Sequence, residues 1–197
     1  MRDPLERAVG PVLLTEIEGL EGASASAGPV VAAISGGVDS AVAARLLLAQ
    51  GFDVLGVHFL LSSGQRSGSA AAAAGAVAEN LGIPLRLMDL TAPFLEQVVR
   101  PFCDAYLNGR TPSPCVTCNR SIKFATLLAV AADVGASMVA TGHYARRIDV
   151  GGLSELHRGA DPAKDQSYFL YRIPAAWLAR TVFPLGKMRK RDVVEAA

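Results

Sequence analysis

The chain has 197 residues, 51% of them apolar, and a formal net charge of +1; that length and apolar content exclude a disordered chain and allow one domain with a substantial core. No apolar run approaches the ~20 residues of a membrane span, and the opening Arg2, Asp3, Glu6 and Arg7 lack the basic-then-apolar order of a secretion signal. A soluble, cytoplasmic protein with no membrane partner is expected.

In chain order, residues 1–29 read as an N-terminal extension, with an amphipathic helix over Leu5 to Leu20 and a small-residue linker over Gly22 to Gly28. Val31 to Ile34 is a short buried strand, followed by a Gly-containing turn and a helix over Ala41 to Gln50. Asp53 to Leu61 gives a second strand. A strand, helix and strand at this spacing form a βαβ unit with a parallel sheet. Ser62 to Ser69 is a polar loop, Ala70 to Leu81 a helix stopped by Gly82, and Pro84 to Leu90 a third strand. Phe94 to Leu107 is helical, with a kink at Pro101. Gly109 to Asn119 is read as a loop neither helical nor extended throughout, because of its glycine and two prolines. Ile122 to Val134 resumes as helix, and Ser137 to Thr141 is a fourth strand ending in Gly142, His143 and Tyr144. Arg147 to Arg158 suggests a hairpin about Gly151-Gly152, and Tyr168 to Tyr171 a short apolar strand. Ala175 to Arg180 is a short helix, Phe183 to Gly186 a turn, and Lys190 to Ala197 the start of another helix. The expected division is 1–29 extension and linker, 30–182 catalytic domain, and 183–197 the start of a truncated following segment.

The stretch SGGVDS, from Ser35 to Ser40, carries the clearest chemistry. A strand ending in glycines at a helix N-terminus makes an anion site, because free N–H groups and the helix dipole face the ligand. Ser35 and Ser40 add hydroxyl donors, and Gly36 and Gly37 let the backbone approach closely. There is no lysine, so it is not the Gly-Lys-Ser/Thr phosphate loop, nor is it the spaced-glycine dinucleotide fingerprint. An ordinary tight turn is the plain alternative. Cys103, Cys115 and Cys118 are an odd, clustered set that points to reactive or metal-binding chemistry rather than disulfides. Cys115 and Cys118 alone could be half of a zinc site, although no second pair completes four ligands. Cys103 falls in an apolar helical pattern and reads as a buried, inert thiol. Residues 1–100 hold 6 basic and 10 acidic side chains, residues 101–197 hold 13 and 8, so a phosphate-rich partner could dock on the C-terminal half. A solvated basic surface fits that count equally well.

SGGVDS resembles the pyrophosphate-binding loop of ATP pyrophosphatases. Together with GRTPSPCVTCNRSIKF, ATGHYAR, RGADPAKDQSYFLYRI and FPLG, in order over residues 30–197, the chain resembles the N-terminal catalytic domain of tRNA-specific 2-thiouridylases of the MnmA/TrmU family. The resemblance implies an α/β fold, an open mostly parallel sheet with helices on both faces, like that of adenine nucleotide alpha-hydrolases. It implies ATP-dependent 2-thiolation of the wobble uridine of tRNA through an adenylated base and a cysteine persulfide, with ATP and Mg²⁺ as cofactors. The partners implied are tRNA and a sulfur donor, either a relay protein or a cysteine desulfurase. Cys118 matches the persulfide position, with Cys115 beside it. Ser35, Gly36, Gly37, Asp39, Ser40, His58, Gly142 and His143 fall at nucleotide-binding positions, with Asp39 the magnesium ligand. Arg110, Asn119, Lys123, Arg146, Lys164, Asp165 and Gln166 are the candidate substrate contacts, and Arg147 a further phosphate contact. On residue type alone, the lysine and arginines could be plain surface charges, His143 a packing residue, and Lys164 to Ser167 a polar loop.

Two departures stand out. The family's second catalytic cysteine, in a glycine–isoleucine–cysteine context, has no match here; Cys115 could act as resolving thiol, or the three cysteines could hold an iron–sulfur cluster as in some related thiolases. The loop after the second strand also lacks the usual acidic and aromatic insert. The readings left open are a thiolase domain, a related ATP pyrophosphatase acting on another carbonyl, and a nucleotide- or tRNA-binding domain without turnover.

Overall fold

The computed structural model describes residues 17–20 and 28–197, with Arg66 described by its backbone alone. The expected helix over Leu5 to Leu20 lies outside the described residues except for its last four, which form a turn closed by Leu20 N–H on the Ile17 carbonyl. The linker, apart from Gly28, lies outside them too.

Five parallel strands make the main sheet in the order β3-β2-β1-β4-β7. They are β1 (Val30–Ala33), β2 (Val54–Leu60), β3 (Leu85–Asp89), β4 (Met138–Ala140) and β7 (Thr181–Val182). Alternation along β1 decides what each face carries. Val30, Ala32 and Ile34 turn to one side, where α1 (Val38–Ala49), α2 (Gln65–Leu81) and α6 (Lys190–Glu195) supply Val42, Leu46, Ala74, Ala78, Val193 and Ala196. Val31 turns to the other, against Leu127, Leu128 and Ala131. Burial on both faces explains why β1 and β2 read as unbroken apolar runs. Strand order reverses between β1 and β4, so the ends of those two strands open the crevice where parallel sheets hold ligands.

Two long helical runs flank that crevice, each with a π-helical insertion. Run α3 (91–107) joins Thr91–Phe94, a π segment Leu95–Val99 and Arg100–Leu107. Pro101 cannot donate to the preceding turn and crowds its carbonyl. The wider turn just before it takes up this mismatch, so the helix continues through the expected kink. Run α4 (114–133) joins Pro114–Cys118, a π segment Asn119–Phe124 and Ala125–Asp133. The loop expected over Gly109 to Asn119 is therefore helical from Pro114 onward. Proline is tolerated at the first helical position, where its missing N–H would have no partner anyway. The polar loop after β2 is likewise shorter than expected, since α2 begins at Gln65.

A separate antiparallel hairpin pairs β5 (Ala145–Val150) with β6 (Leu153–Arg158). Gly151 and Gly152 both have positive φ, at 57° and 82°, as a two-residue hairpin turn requires. The apolar strand expected at Tyr168 to Tyr171 is instead a 3₁₀ turn, Ser167–Phe169, with Leu170 buried and both tyrosines exposed. The short helix α5 (Ala175–Leu178) precedes β7, which extends the sheet. Residues of 183–197 enter the main core: Leu185, Met188, Val193 and Ala196 pack with Val30 and Leu46.

Candidate active site

Helix α1 begins at Val38, directly after Gly37, so Asp39 and Ser40 stand in its first turn. Among the described residues no side chain caps this helix, which leaves its first N–H groups facing the crevice. Ser40 ties the loop. Its Oγ accepts from Ser35 N–H at 3.0 Å, lies 3.0 Å from Ser35 Oγ, and donates to the Gly37 carbonyl at 2.9 Å. Gly36 has φ +84°, and a Cβ there would lie 2.8 Å from Ala73 Cβ and 2.9 Å from Ala74 N. Positive φ and the closeness of α2 both require glycine. Gly142, at the end of β4, is similarly confined: a Cβ would meet the Asp39 carbonyl carbon at 3.0 Å. Gly36 thus lets the loop pass against α2, and Gly142 lets the chain after β4 pass against the first turn of α1.

Between these strand ends lies a cavity of about 350 Å³, lined among others by Ser35, Asp39, His58, Lys123, His143 and Gln166. His58 is buried in β2 and meets the Ile34 carbonyl through Nδ1 at 2.8 Å. A carbonyl only accepts, so Nδ1 carries the proton. His143 bonds Thr141 Oγ1 through Nδ1 at 2.9 Å and stacks on Phe124. Burial, helped by the Lys123 cation, pushes its pKa down to about 3, so the imidazole is neutral at pH 7. Gln166 is fixed to Tyr144 at both ends, its N–H on the Tyr144 carbonyl and its Oε1 accepting Tyr144 N–H.

Asp39 is held by residues far away in sequence. Tyr144 Oη–H donates to its Oδ1 at 2.8 Å, and Lys190 Nζ reaches the same oxygen at 2.5 Å. Burial first, then the hydrogen bond and charge of Asp39 and the charge of Asp161, raise the Tyr144 pKa far above its ordinary value, so the phenol stays a donor. Magnesium is commonly held by one or two carboxylates plus substrate phosphates; one carboxylate, Asp39, on the wall of the cavity beside Ser35 and Ser40 fits that demand. The three cysteines do not fit a cluster. Cys103 and Cys115 are exposed, Cys118 is buried, and among the described residues no three His, Cys, Asp or Glu side chains gather where a metal ion could sit. The exposure of Cys103 also corrects its reading as a buried thiol: the apolar face of α3 turns Val98 inward instead.

Cys115 and Cys118 lie one turn apart on α4, brought together by the helix that replaces the expected loop. Cys118 packs with Val98 and Ile122, with Leu61, Leu90 and Phe94 around them. That burial raises its pKa; Lys123 pulls it down and Cys115 pushes it up. Lys123 therefore acts electrostatically on both the thiol and His143, linking cysteine and cavity. Asn119 follows Cys118; its Nδ2 donates to the Phe169 carbonyl at 3.2 Å, and its buried Oδ1 has no partner among the described residues.

The other expected contacts lie apart or are engaged. Lys164 is exposed, and Arg110 is exposed at a separate dent beside Pro101 and Asp104. Asp165 shapes its own loop. Burial opposes its ionisation, but hydrogen bonds from Gly159 N–H and from Ser167 N–H and Oγ outweigh it and lower its pKa. Arg146 forms a forked pair with Glu18. Arg147, expected at phosphate, is buried and donates to the carbonyls of Ala179, Thr181 and Gly19; it holds the hairpin to β7 and to the 17–20 turn. Sequence reading missed Tyr144 and Lys190 as partners of Asp39, which lie 105 and 151 residues away. Tyr144 had one signal, its place beside His143 at a strand end; Lys190 had only a basic cluster.

Residues 28–197 match the family model described as tRNA methyl transferase HUP domain. The tRNA-specific 2-thiouridylase MnmA of Syntrophotalea carbinolica is 50% identical over 169 residues, covering 83% of this chain and 48% of the relative. That of Rhizorhabdus wittichii is 44% identical over 192 residues, covering 92% and 51%. The chain thus spans about half the length of the curated relatives it matches. Among solved structures, NMN synthetase from Francisella tularensis aligns with a TM-score of 0.57 at 17% identity, over 100% of this chain and 70% of that one. The U34-tRNA thiolase NcsA of Methanococcus maripaludis, solved with its [4Fe-4S] cluster, aligns at 0.56 and 16%, over 98% and 60%. At such identities these likenesses establish the fold alone, the open parallel sheet of adenine-nucleotide alpha-hydrolases. Family match, relatives and fold agree, and the chain belongs to the tRNA-specific 2-thiouridylase family, as its ATP-pyrophosphatase-type domain.

Proposed function

We propose that this chain is the ATP-binding, base-adenylating part of a tRNA 2-thiouridylase, and that Cys118 carries the sulfur. One observation carries the reading most: the phosphate-loop cavity and the Cys118 thiol share a single cation, Lys123, that acts on both. ATP is the substrate whose phosphates lie along Ser35 to Ser40. Asp39 would hold Mg²⁺, which when bound neutralises phosphate charge. The wobble uridine leaves its stack, at a cost of a few kcal/mol, and its O2 attacks the α-phosphorus. The bond from that phosphorus to the bridging oxygen breaks and pyrophosphate departs with the electron pair. Neutral His143 lines the cavity without repelling cations there.

In the second half, a sulfur donor, a relay protein or cysteine desulfurase, loads Cys118 as a persulfide. The terminal sulfur attacks C2, and AMP leaves with the former O2. The Cys115 thiolate then attacks Cys118 Sγ and releases 2-thiouridine; the disulfide left behind is reduced by an external dithiol. Cys115 takes this role by its place one turn before Cys118 and its exposure. The orphaned Asn119 Oδ1 is an acceptor suited to the N3–H of a uracil ring. Adenylation rests on the cavity alone; sulfur transfer rests also on the second thiol.

The test incubates the chain with ATP, Mg²⁺, a cysteine desulfurase and cysteine as the persulfide source, dithiothreitol and tRNA bearing a wobble uridine, then digests the tRNA. Pyrophosphate, AMP and 2-thiouridine, all absent with tRNA lacking that uridine, are expected. Pyrophosphate without AMP and 2-thiouridine would remove Cys118 and Cys115 from their roles. No pyrophosphate would overturn the whole reading.

A further inference from the structure

The phosphate loop, Ser35 to Ser40, contains no cation, yet the departing pyrophosphate concentrates more negative charge than any other group in the proposed reaction. Phosphate loops that carry their own lysine place it on the β- and γ-phosphates. Here, among the described residues lining the cavity, Lys123 is the only Lys or Arg, and it belongs to the cysteine side. A second cation stands on the loop side, delivered from 151 residues away: Lys190 Nζ, 2.5 Å from Asp39 Oδ1.

Its position is fixed at both ends. Lys190 N–H donates to Asp161 Oδ2 at 2.9 Å, an interaction that holds the Asp161 carboxyl below the usual range. Helix α6, which starts at Lys190, lies against α1: Val193 and Ala196 are fully buried, and Arg45 donates to the Ala196 carbonyl at 3.2 Å. The packing of α6 on α1 therefore sets the head of α6 over the first turn of α1. The side chains of Lys190 and Asp39 are 31% and 38% exposed. A pair this open to water is a weak contributor to stability, and its partners can exchange without a large desolvation cost.

We propose that Lys190 is the missing phosphate-loop cation: it contacts the β,γ-pyrophosphate of a bound nucleoside triphosphate, and its pair with Asp39 is the ligand-free arrangement. Asp39 alone would repel the incoming phosphates. Lys190 neutralises that carboxylate while the site is empty. With a triphosphate and Mg²⁺ bound, Asp39 would hold the metal and Lys190 would contact the phosphate oxygens, each trading one charge partner for another. Tyr144 Oη–H stays on Asp39 through the exchange and keeps the carboxylate in place. This rests on the ATP-binding reading above.

The experiment measures equilibrium binding of a non-hydrolysable ATP analogue with Mg²⁺, and of AMP, to the wild type, Lys190→Gln and Lys190→Arg. Lys190→Gln should weaken the triphosphate about tenfold or more, the scale of one charge-assisted hydrogen bond. AMP affinity should stay within twofold, and Lys190→Arg should recover most of the loss. Equal weakening of both ligands, or no weakening of either, overturns the proposal. If Lys190→Gln melts below the assay temperature, the lysine Nζ resonance of the wild type decides. It must shift with the triphosphate and not with AMP, and an unmoved resonance overturns the proposal. A wild type that binds no triphosphate refutes the ATP reading instead, which separates the two failures.

Discussion

Cys118 sits in an apolar pocket of Val98, Ile122 and Phe94, and that burial works against the thiolate the chemistry needs. Cys118 should therefore be alkylated by iodoacetamide at pH 8 more slowly than exposed Cys103 and Cys115, as peptide mapping over time will show. Lys123→Met removes the cation that pulls the Cys118 pKa down and should slow that reaction further; an unchanged or faster rate would break the proposed link. His143 makes a second test. Its folded pKa of about 3 lies below the ordinary 6.5 of a histidine, so the unfolded chain binds the proton first as pH falls. The stability this group contributes is complete above pH 6.5 and is lost on going down toward pH 3, at up to about 1.4 kcal/mol per pH unit. His143→Asn should flatten that part of the wild-type profile in urea titrations, and a profile parallel to wild type would contradict it.

The phosphate loop was legible as an element because its signal is local: an apolar strand, two glycines and a helix occupy consecutive residues. Its geometry yields a sharp expectation. Gly36→Ala forces a side chain into φ +84° and against the backbone of α2, costing about 1–3 kcal/mol; melting in denaturant should show the loss, with weaker ATP-analogue binding. Gly75→Ala, in the same region with open space around its Cβ, should be neutral or stabilising. The cysteine segment was not legible as an element. Pro112 and Pro114 argued for a loop, but a proline at the first helical position starts a helix as readily as it ends one. The 3₁₀ turn at Ser167–Phe169 is hidden in the sequence for a related reason: Tyr, Phe, Leu and Tyr have strand propensity, which here loses to the hydrogen bonds of Asp165 and Gln166.

Across the whole molecule, the parallel sheet and the phosphate loop at a strand end follow from strand and helix spacing, but the strand order and the long-range partners do not. Arg147 shows the difference. As a residue type beside a strand end it suggested phosphate; in the fold it is buried and satisfies three carbonyls from two distant segments. Arg147→Met should cost at least ~2 kcal/mol, because buried carbonyls lose their donors. ATP-analogue affinity at a temperature where the variant is folded should change less than twofold. A phosphate-binding arginine would give the reverse, with stability kept and affinity lost. Lys190 shows the same limit from the other side, since only the packing of α6 on α1 brings it to Asp39.

In the proposed function, adenylation uses the phosphate-loop cavity and sulfur transfer the Cys118 pocket beside Val98 and Ile122, and tRNA-dependent release of pyrophosphate from ATP tests that separation most directly. With Mg²⁺ and tRNA bearing a wobble uridine, the wild type and Cys118→Ser should both release pyrophosphate, whereas Asp39→Asn should lose at least ~90% of the rate, the tenfold of a single charge-assisted contact. Pyrophosphate release that disappears in Cys118→Ser, or persists undiminished in Asp39→Asn, would contradict the proposed roles of these two residues.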